Sequence, residues 1–352
     1  MPSRQAKILT VGPAMNGPGG LSALMRMYRS AFPGFRHLSY SSRRGPLAGL
    51  FVRLYPLVAL PFMRLSGYSI LHVHATTGSF FHRAECVVRF GQKLGFRTVF
   101  HFHDEDFDEF LGSVSPRHIE TIRRASAVAV LSDSWASFYR DGLGCRRVVT
   151  LPNIVGDVRV VRDRSKRRLE EPLRLLYMGK FTSEKGIFDL IRALEPLADK
   201  YQGYLQLTVA GRGDSEAVIA LIDELKLDRT VRFMGYVESK DKDRLLRLSD
   251  VLVLPSYREG MPVGILEAGV YNMACIATSV GAIPDVIEHR VNGYLVDPGR
   301  PDQITEAIQY YLDNPQAISS QGREARERIS PYLPAAATAR FTEFYNSLLS
   351  DH

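Results

Sequence analysis

Short, β-rich apolar runs recur along this chain and alternate with stretches of helical period. In the first half they read AKILTVG, YSILHVHA, RTVFHFHD, AVAVLSD and RVVTLPN; in the second, LRLLYMGK, YLQLTVAG, VRFMG, DVLVLPS and ACIAT. A strand that is apolar at every position, rather than at alternate ones, has both faces buried, so each set predicts a parallel sheet with helices on both sides. Two sets predict two Rossmann-like domains in an α/β chain. The 352 residues also exceed the size at which a single core stops growing.

The seam falls in GDVRVVRDRSKRRLEEPLR (156–174), which is charged, lacks an apolar period and ends at Pro172 before a fresh strand. The expected division is therefore 1–157, a linker at 158–171, and 172–334, with a helix over 335–350 returning to the first domain. Ligands of such sheets bind outside the carboxyl ends of the strands, so the residues just after each apolar run are the ones to weigh.

After the first run comes VGPAMNGPGGLS, where Gly17, Gly19 and Gly20 precede a helical pattern starting near Leu21. A glycine turn at a helix start lets backbone N–H groups approach an anion; a tight turn needing φ > 0 is the plainer alternative. The spacing is not GxGxxG and no acid occurs before Glu85, which disfavours a dinucleotide dehydrogenase. The second half opens with LLYMGKFTSEKGIFDL, a strand and loop carrying Lys180 and Lys185; Phe181 after the lysine excludes a Walker loop. In FHFHDEDF, His101 and His103 share a strand face by the period of two. Asp104 and Asp106 have the D-x-D pattern of a Mn²⁺ site, but five acids crowd 104–109, as in a solvated loop. Finally, SDVLVLPSYREGMPVGILEAG is a strand, a loop with Glu259, and a helix from near Pro262 carrying Glu267. Two carboxylates there can accept hydrogen bonds from sugar hydroxyls.

As a set these stretches resemble family 4 of the retaining glycosyltransferases, the glycosyl transferases group 1, almost end to end. The resemblance rests on GPGGLS, ILHVHA, HFHD, VVTLPNIVGD, MGKFTSEKG, the E-x7-E stretch, SVGAIPDVI and VNGYLVDPGRPDQI. Departures from the usual pattern are Gly281-Ala282, Asp285 and Asn153-Ile154. The resemblance implies a GT-B fold, with two Rossmann-like domains across a cleft, and transfer from a UDP- or GDP-linked sugar without a metal. It implies that Glu259 faces the donor sugar, with His103 (or His101 in the other register) near the reacting carbon. Glu267 would bind the ribose, and Lys180, Lys185, Gly19 and Gly20 the diphosphate. Backbone contacts to the donor would come from Gly260, Met261, Pro262, Val263 and Gly264.

Charge adds an expectation about the acceptor. Lys and Arg outnumber Asp and Glu by 25 to 12 in residues 1–170 and trail them by 20 to 26 afterwards; before residue 100, thirteen basic residues face the single acid Glu85. This half suits an anionic partner. The stretch RRGPLAGLFVRLYPLVALPFMRL is apolar, but Arg53, Arg64, Pro46, Pro56 and Pro61 argue against a membrane span and for a segment lying on anionic lipid. A lipid-linked glycan acceptor is the expectation, with a buried helix beside the acceptor site as the alternative. The apolar core of MPSRQAKILTVGP is too short for a signal peptide, so a cytoplasmic protein, peripheral on the inner face of the plasma membrane, is expected. Cys86, Cys145 and Cys275 lack the spacing of a disulfide framework or a zinc site. A sugar-nucleotide isomerase of similar fold and a nucleic-acid-binding protein are the rival classes; the second leaves the acid pair idle and has no recognition motif.

Overall fold

The computed structural model describes residues 7–17, 20–40, 46–76, 78–103, 115–158, 164 and 171–350, with the backbone alone for 46–53 and Ser79. Contacts divide the chain into two units, Met1–Val155 with Tyr332–His352, and Gly156–Pro331.

The first unit holds β1 (Lys7–Gly12), β2 (Arg36–Ser39), β3 (Tyr68–Ala75), β4 (Arg97–Phe102), β5 (Ala127–Val130) and β6 (Val148–Thr150), in the order β2-β1-β3-β4-β5-β6. Every neighbouring pair is parallel. All of β5 and all but the first residue of β4 are buried, as continuous apolar strands require. The edge strand β2, RHLS, buries only Leu38, which is why it carries no apolar run in the sequence. The chain reverses direction across the sheet between β1 and β3, the switch point of this unit.

The second unit holds β7 (Leu173–Phe181), β8 (Leu205–Gly213), β9 (Val231–Gly235), β10 (Val251–Leu254), β11 (Ala274–Thr278) and β12 (Tyr294–Val296), in the order β12-β11-β10-β7-β8-β9. These pairs are parallel too. The switch point lies between β7 and β10. The helix Ile187–Ala198 closes one face by burying Ile187, Leu190, Ile191, Leu194 and Leu197, an apolar stripe of helical period.

After the second unit the chain crosses back. The Val155 N–H donates to the Tyr332 carbonyl at 3.0 Å, and the helix Pro334–Ser350 buries Ala337, Phe341, Phe344, Tyr345 and Leu348 among Ile8, Ile70, Val99 and Ala127. Each large side chain buried this way contributes about 1.5–3 kcal/mol, which ties the C-terminal segment to the first sheet.

Of the stretch expected as a linker, 158–171, only Val158, Arg164 and Glu171 lie among the described residues. Arg164 is 4% exposed and belongs to the second unit. Its guanidinium donates to the carbonyls of Leu246 (3.1 Å), Ser249 (Nε, 3.1 Å) and Tyr271. These oxygens close the helices Ser239–Leu248 and Val263–Val270, where a cation complements the helix dipole. The apolar stretch Pro46–Leu65 is one helix that continues through Pro56 and Pro61. Among the described residues no helix is long and apolar enough to cross a membrane.

Candidate functional site

The loops leaving β7 and β10 meet at the switch point of the second sheet. Beyond β7 the chain makes a short turn, Ser183–Lys185, then Gly186 at φ 67°, where the helix Ile187–Ala198 begins. A Cβ at Gly186 would lie 1.9 Å from the Pro255 carbonyl oxygen, so only glycine lets the two loops approach this closely. The Tyr257 N–H donates to the Glu184 carbonyl (2.9 Å), a second tie between them. The loop after β11 is drawn in as well: Gly281, at φ 56°, would set a Cβ 1.6 Å from the Glu259 carbonyl oxygen, and the Ala282 N–H donates to Gly260 O (2.8 Å).

This pinning brings Lys185 and Glu259 together. Lys185 Nζ donates to Glu259 Oε1 and to the Arg258 carbonyl, both at 2.8 Å, and the Ser256 hydroxyl donates to the same Oε1 at 2.9 Å. Both side chains are largely buried, 21% and 15% exposed. Lysine has three protons, so one N–H of Lys185 remains for a further acceptor. Both hydrogen bonds to Glu259 fall on Oε1, which leaves Oε2 for a hydroxyl.

Just beyond, the helix Val263–Val270 starts from Pro262, which supplies no side-chain cap. The first N–H groups of such a helix have no intrahelical partner and suit an anion. Met261 is buried, while Gly260, Pro262, Val263 and Gly264 are half-buried. Glu267 lies on this helix, and its Oε1 accepts from Lys242 Nζ at 2.7 Å. Lys242 comes from the helix Ser239–Leu248 and escapes a sequence reading, because nothing local links it to a residue 25 positions away. Lys180 stands exposed near the end of β7, opposite Arg212 in the β7–β8 register. Arg212 in turn lies over the Tyr236 ring at 3.5 Å. Among the described residues no hydrogen bond or ion pair joins the Lys180 side chain to the Lys185–Glu259 pair.

In the first unit a cluster of histidines lies on and just past the strands β3 and β4. His101 is fully buried, and its Nε2 lies 2.9 Å from the Leu151 carbonyl, an acceptor only, so this nitrogen carries the proton. His101 Nδ1 must then accept from His72 Nε2 (3.0 Å), and His72 Nδ1 from the Tyr345 hydroxyl (2.6 Å). The chain of bonds fixes both tautomers. A parallel contact joins His74 Nδ1 to His103 Nε2 at 2.9 Å. Burial pushes His72 and His103 down to about 3, and holds His74 and His101 well below the usual range with help from the neighbouring imidazoles; beside His103, the Asn153 side chain opposes the shift. All four are neutral near pH 7. One nitrogen from each of His72, His74 and His101 falls within 4.8 Å of the others, close enough to surround a cation. The hydrogen bonds, however, already occupy both nitrogens of His72 and His101. With both of its nitrogens engaged inside the sheet, His101 cannot serve a ligand, whereas half-buried His103 sits just past the end of β4.

Gly20 opens the helix Gly20–Ala31, exposed, and a Cβ there would touch nothing. Neither Gly17 nor Gly20 has positive φ, so the expected φ > 0 is not the reason for either glycine. At Gly17 the reason is packing: a Cβ would lie 2.5 Å from the Ser22 hydroxyl. Gly19, Asp104, Asp106, Arg43 and Arg44 lie outside the described residues.

Residues 161–332 match the family model of the glycosyl transferases group 1. An uncharacterized glycosyltransferase of Methanocaldococcus jannaschii is 32% identical over 40% of this chain and 36% of its own length. Glycogen synthase of Mycobacterium tuberculosis is 30% identical over 45% and 38%. The chain thus spans little more than a third of these relatives. A putative colanic acid biosynthesis glycosyltransferase of Escherichia coli matches at 24% over 66% and 59%. Among solved structures, sucrose-phosphate synthase from Thermosynechococcus elongatus superimposes with a TM-score of 0.80 at 18% identity, covering 98% of this chain and 100% of that one. Anabaena HepE in complex with UDP and glucose gives 0.75 at 18%, over 97% and 100%. The fold of this chain is therefore GT-B.

Proposed function

Because residues 161–332 belong to the glycosyl transferases group 1, we propose that this protein is a glycosyltransferase that moves a sugar from a UDP- or GDP-linked donor to a glycan acceptor. The observation that carries the reading is the Lys185–Glu259 pair, 2.8 Å apart at the switch point of the second sheet. Departure of a nucleoside diphosphate requires positive charge at the leaving oxygens while charge of the same sign grows at the anomeric carbon. The third proton of Lys185, the side chain of Lys180 and the uncapped N–H groups of Val263 and Gly264 supply the first. Glu259 Oε2 accepts a hydroxyl of the donor sugar, and its charge favours the cationic carbon. Glu267, oriented by Lys242, accepts the ribose hydroxyls. In the first unit, neutral His103 is suited to a hydrogen bond that adds no charge. The complex of Anabaena HepE with UDP-glucose supports a nucleotide-sugar donor for this fold.

Transfer proceeds with retention and without a metal, the diphosphate charge being met by lysines and backbone amides. The acceptor is lipid-linked, in the synthesis of a cell-surface polysaccharide or glycolipid, at the inner face of the plasma membrane. The cationic first half supports this, as does the likeness to a colanic acid biosynthesis glycosyltransferase. The test is transfer of labelled sugar to a lipid-linked acceptor in EDTA, with the product's anomer read by NMR. Retained configuration and undiminished turnover are expected. Loss of activity restored by Mn²⁺ would overturn the metal-free mechanism, and epimerised donor with no transfer would point to an isomerase.

A further inference from the structure

We propose that the outward face of the helix Pro46–Leu65 docks the protein on an anionic bilayer, an inference that rests on the lipid-linked acceptor above. The helix has two apolar faces. Leu57, Ala59, Leu60 and Met63 pack in the core of the first unit. Leu54, Val58, Phe62 and Leu65 follow one another at intervals of four, four and three, which at 3.6 residues per turn aligns them along the other side. They are 49%, 63%, 63% and 86% exposed. Together with Tyr55 they are the large exposed apolar side chains of the first unit among the described residues; the others all lie in the second unit. Single exposed apolar residues need no explanation, but a continuous line of them marks an interaction surface.

Charge selects the occupant. The one acid before residue 100, Glu85, is 2% exposed, accepts from the Thr121 hydroxyl at 2.8 Å and lies 3.7 Å from Arg89. No carboxylate of that stretch reaches the surface. Arg64 is exposed immediately before Leu65, and Lys7 donates to the Ser66 carbonyl (3.1 Å) at the same end of the helix. An apolar line bordered by cations suits a helix seated among anionic headgroups. A second copy of the chain would set those cations against one another.

The test is sedimentation with vesicles of phosphatidylglycerol and phosphatidylcholine in equal parts, and with phosphatidylcholine alone. Wild-type protein sediments with the anionic vesicles only, and less at high salt. Replacing Val58 and Phe62 by Ser cuts the partitioning by about tenfold or more, because it removes apolar area that lipid would cover. The thermal midpoint and sugar-nucleotide binding of this variant stay unchanged, and Ile219→Ser in the second unit has no effect on sedimentation. A Phe62→Trp variant shows a blue shift on adding anionic vesicles. The inference is overturned if wild-type protein ignores anionic vesicles at low salt, or if the double variant sediments like wild type. Dissociation of a dimer by the double variant, seen by light scattering without any vesicle binding, would make the face a contact between copies and overturn it equally. Sedimentation without sugar-nucleotide binding would keep the docking face and sink the donor reading.

Discussion

At the ends of their central strands the two units handle ionisable groups in opposite ways. In the first, His72, His74, His101 and His103 are held neutral beside the carboxyl ends of β3 and β4, and among the described residues no acid is a hydrogen-bond partner of theirs. In the second, Lys185–Glu259 and Lys242–Glu267 are ion pairs near the ends of β7 and β10, partly open to solvent. Neutral imidazoles act through shape and hydrogen-bond direction. Paired charges act through the field they offer a charged ligand, and each pairing keeps its members oriented.

The sharpest way to break this contrast is to remove one charge at the switch point. Glu259→Gln keeps the shape and the Ser256 contact but loses the charge, and should lower the transfer rate by about 10²–10³-fold, the scale of losing one preorganised electrostatic partner. Nucleotide affinity should change little; steady-state kinetics with near-normal turnover would remove Glu259 from the chemistry. Lys185→Ala should weaken nucleoside diphosphate binding by roughly 1.5–3 kcal/mol, a charge-assisted hydrogen bond. Calorimetry showing unchanged affinity would leave Lys185 as a structural partner of Glu259 only.

For the first unit the contrast predicts acid sensitivity. Unfolded histidines take up protons near 6.5, whereas folded His72 and His103 resist until about 3. Between these values the unfolded state binds more protons, so stability falls as pH falls, by about 1.4 kcal/mol per pH unit for each such imidazole. The only tryptophan, Trp135, packs against the first unit's core. Its fluorescence should report unfolding at a higher pH than the final loss of the chain's circular dichroism, and coincident transitions would contradict the assignment. The smallest effect is expected at Lys242→Met. A partly exposed ion pair is worth about 0.2–1 kcal/mol, so nucleotide affinity should drop only a few-fold, and a loss as large as that of Lys185→Ala would make Lys242 a direct ligand.

Where the sequence was legible, one local rule decided the outcome. Strands buried on both faces, such as AVAV, announce themselves because every residue is apolar. The short edge strand β2 does not, since an edge needs only one buried residue. The loops carrying Lys185 and Glu259 could be found from strand ends, but their meeting depends on Gly186 and Gly281, whose roles appear only when the neighbouring backbone is in place. Arg164 hid in a run of charges that reads as solvated, and Lys242 on the helix Ser239–Leu248, far in sequence from its partner. On Pro46–Leu65 the prolines suggested interruption, yet the helix runs through both, and only the fold separates its inward face from its outward one.

The most direct test of a charged donor site in the second unit is thermal unfolding of wild-type protein and Lys185→Ala against a panel of UDP- and GDP-sugars. A bound donor at a hundredfold excess over its Kd adds about 2.7 kcal/mol to the stability of the unit that binds it. At least one sugar nucleotide should raise the midpoint of the wild type, and Lys185→Ala should lose most of the shift. A panel in which no sugar nucleotide moves the wild-type midpoint, or in which the variant shifts as far as the wild type, would contradict that site.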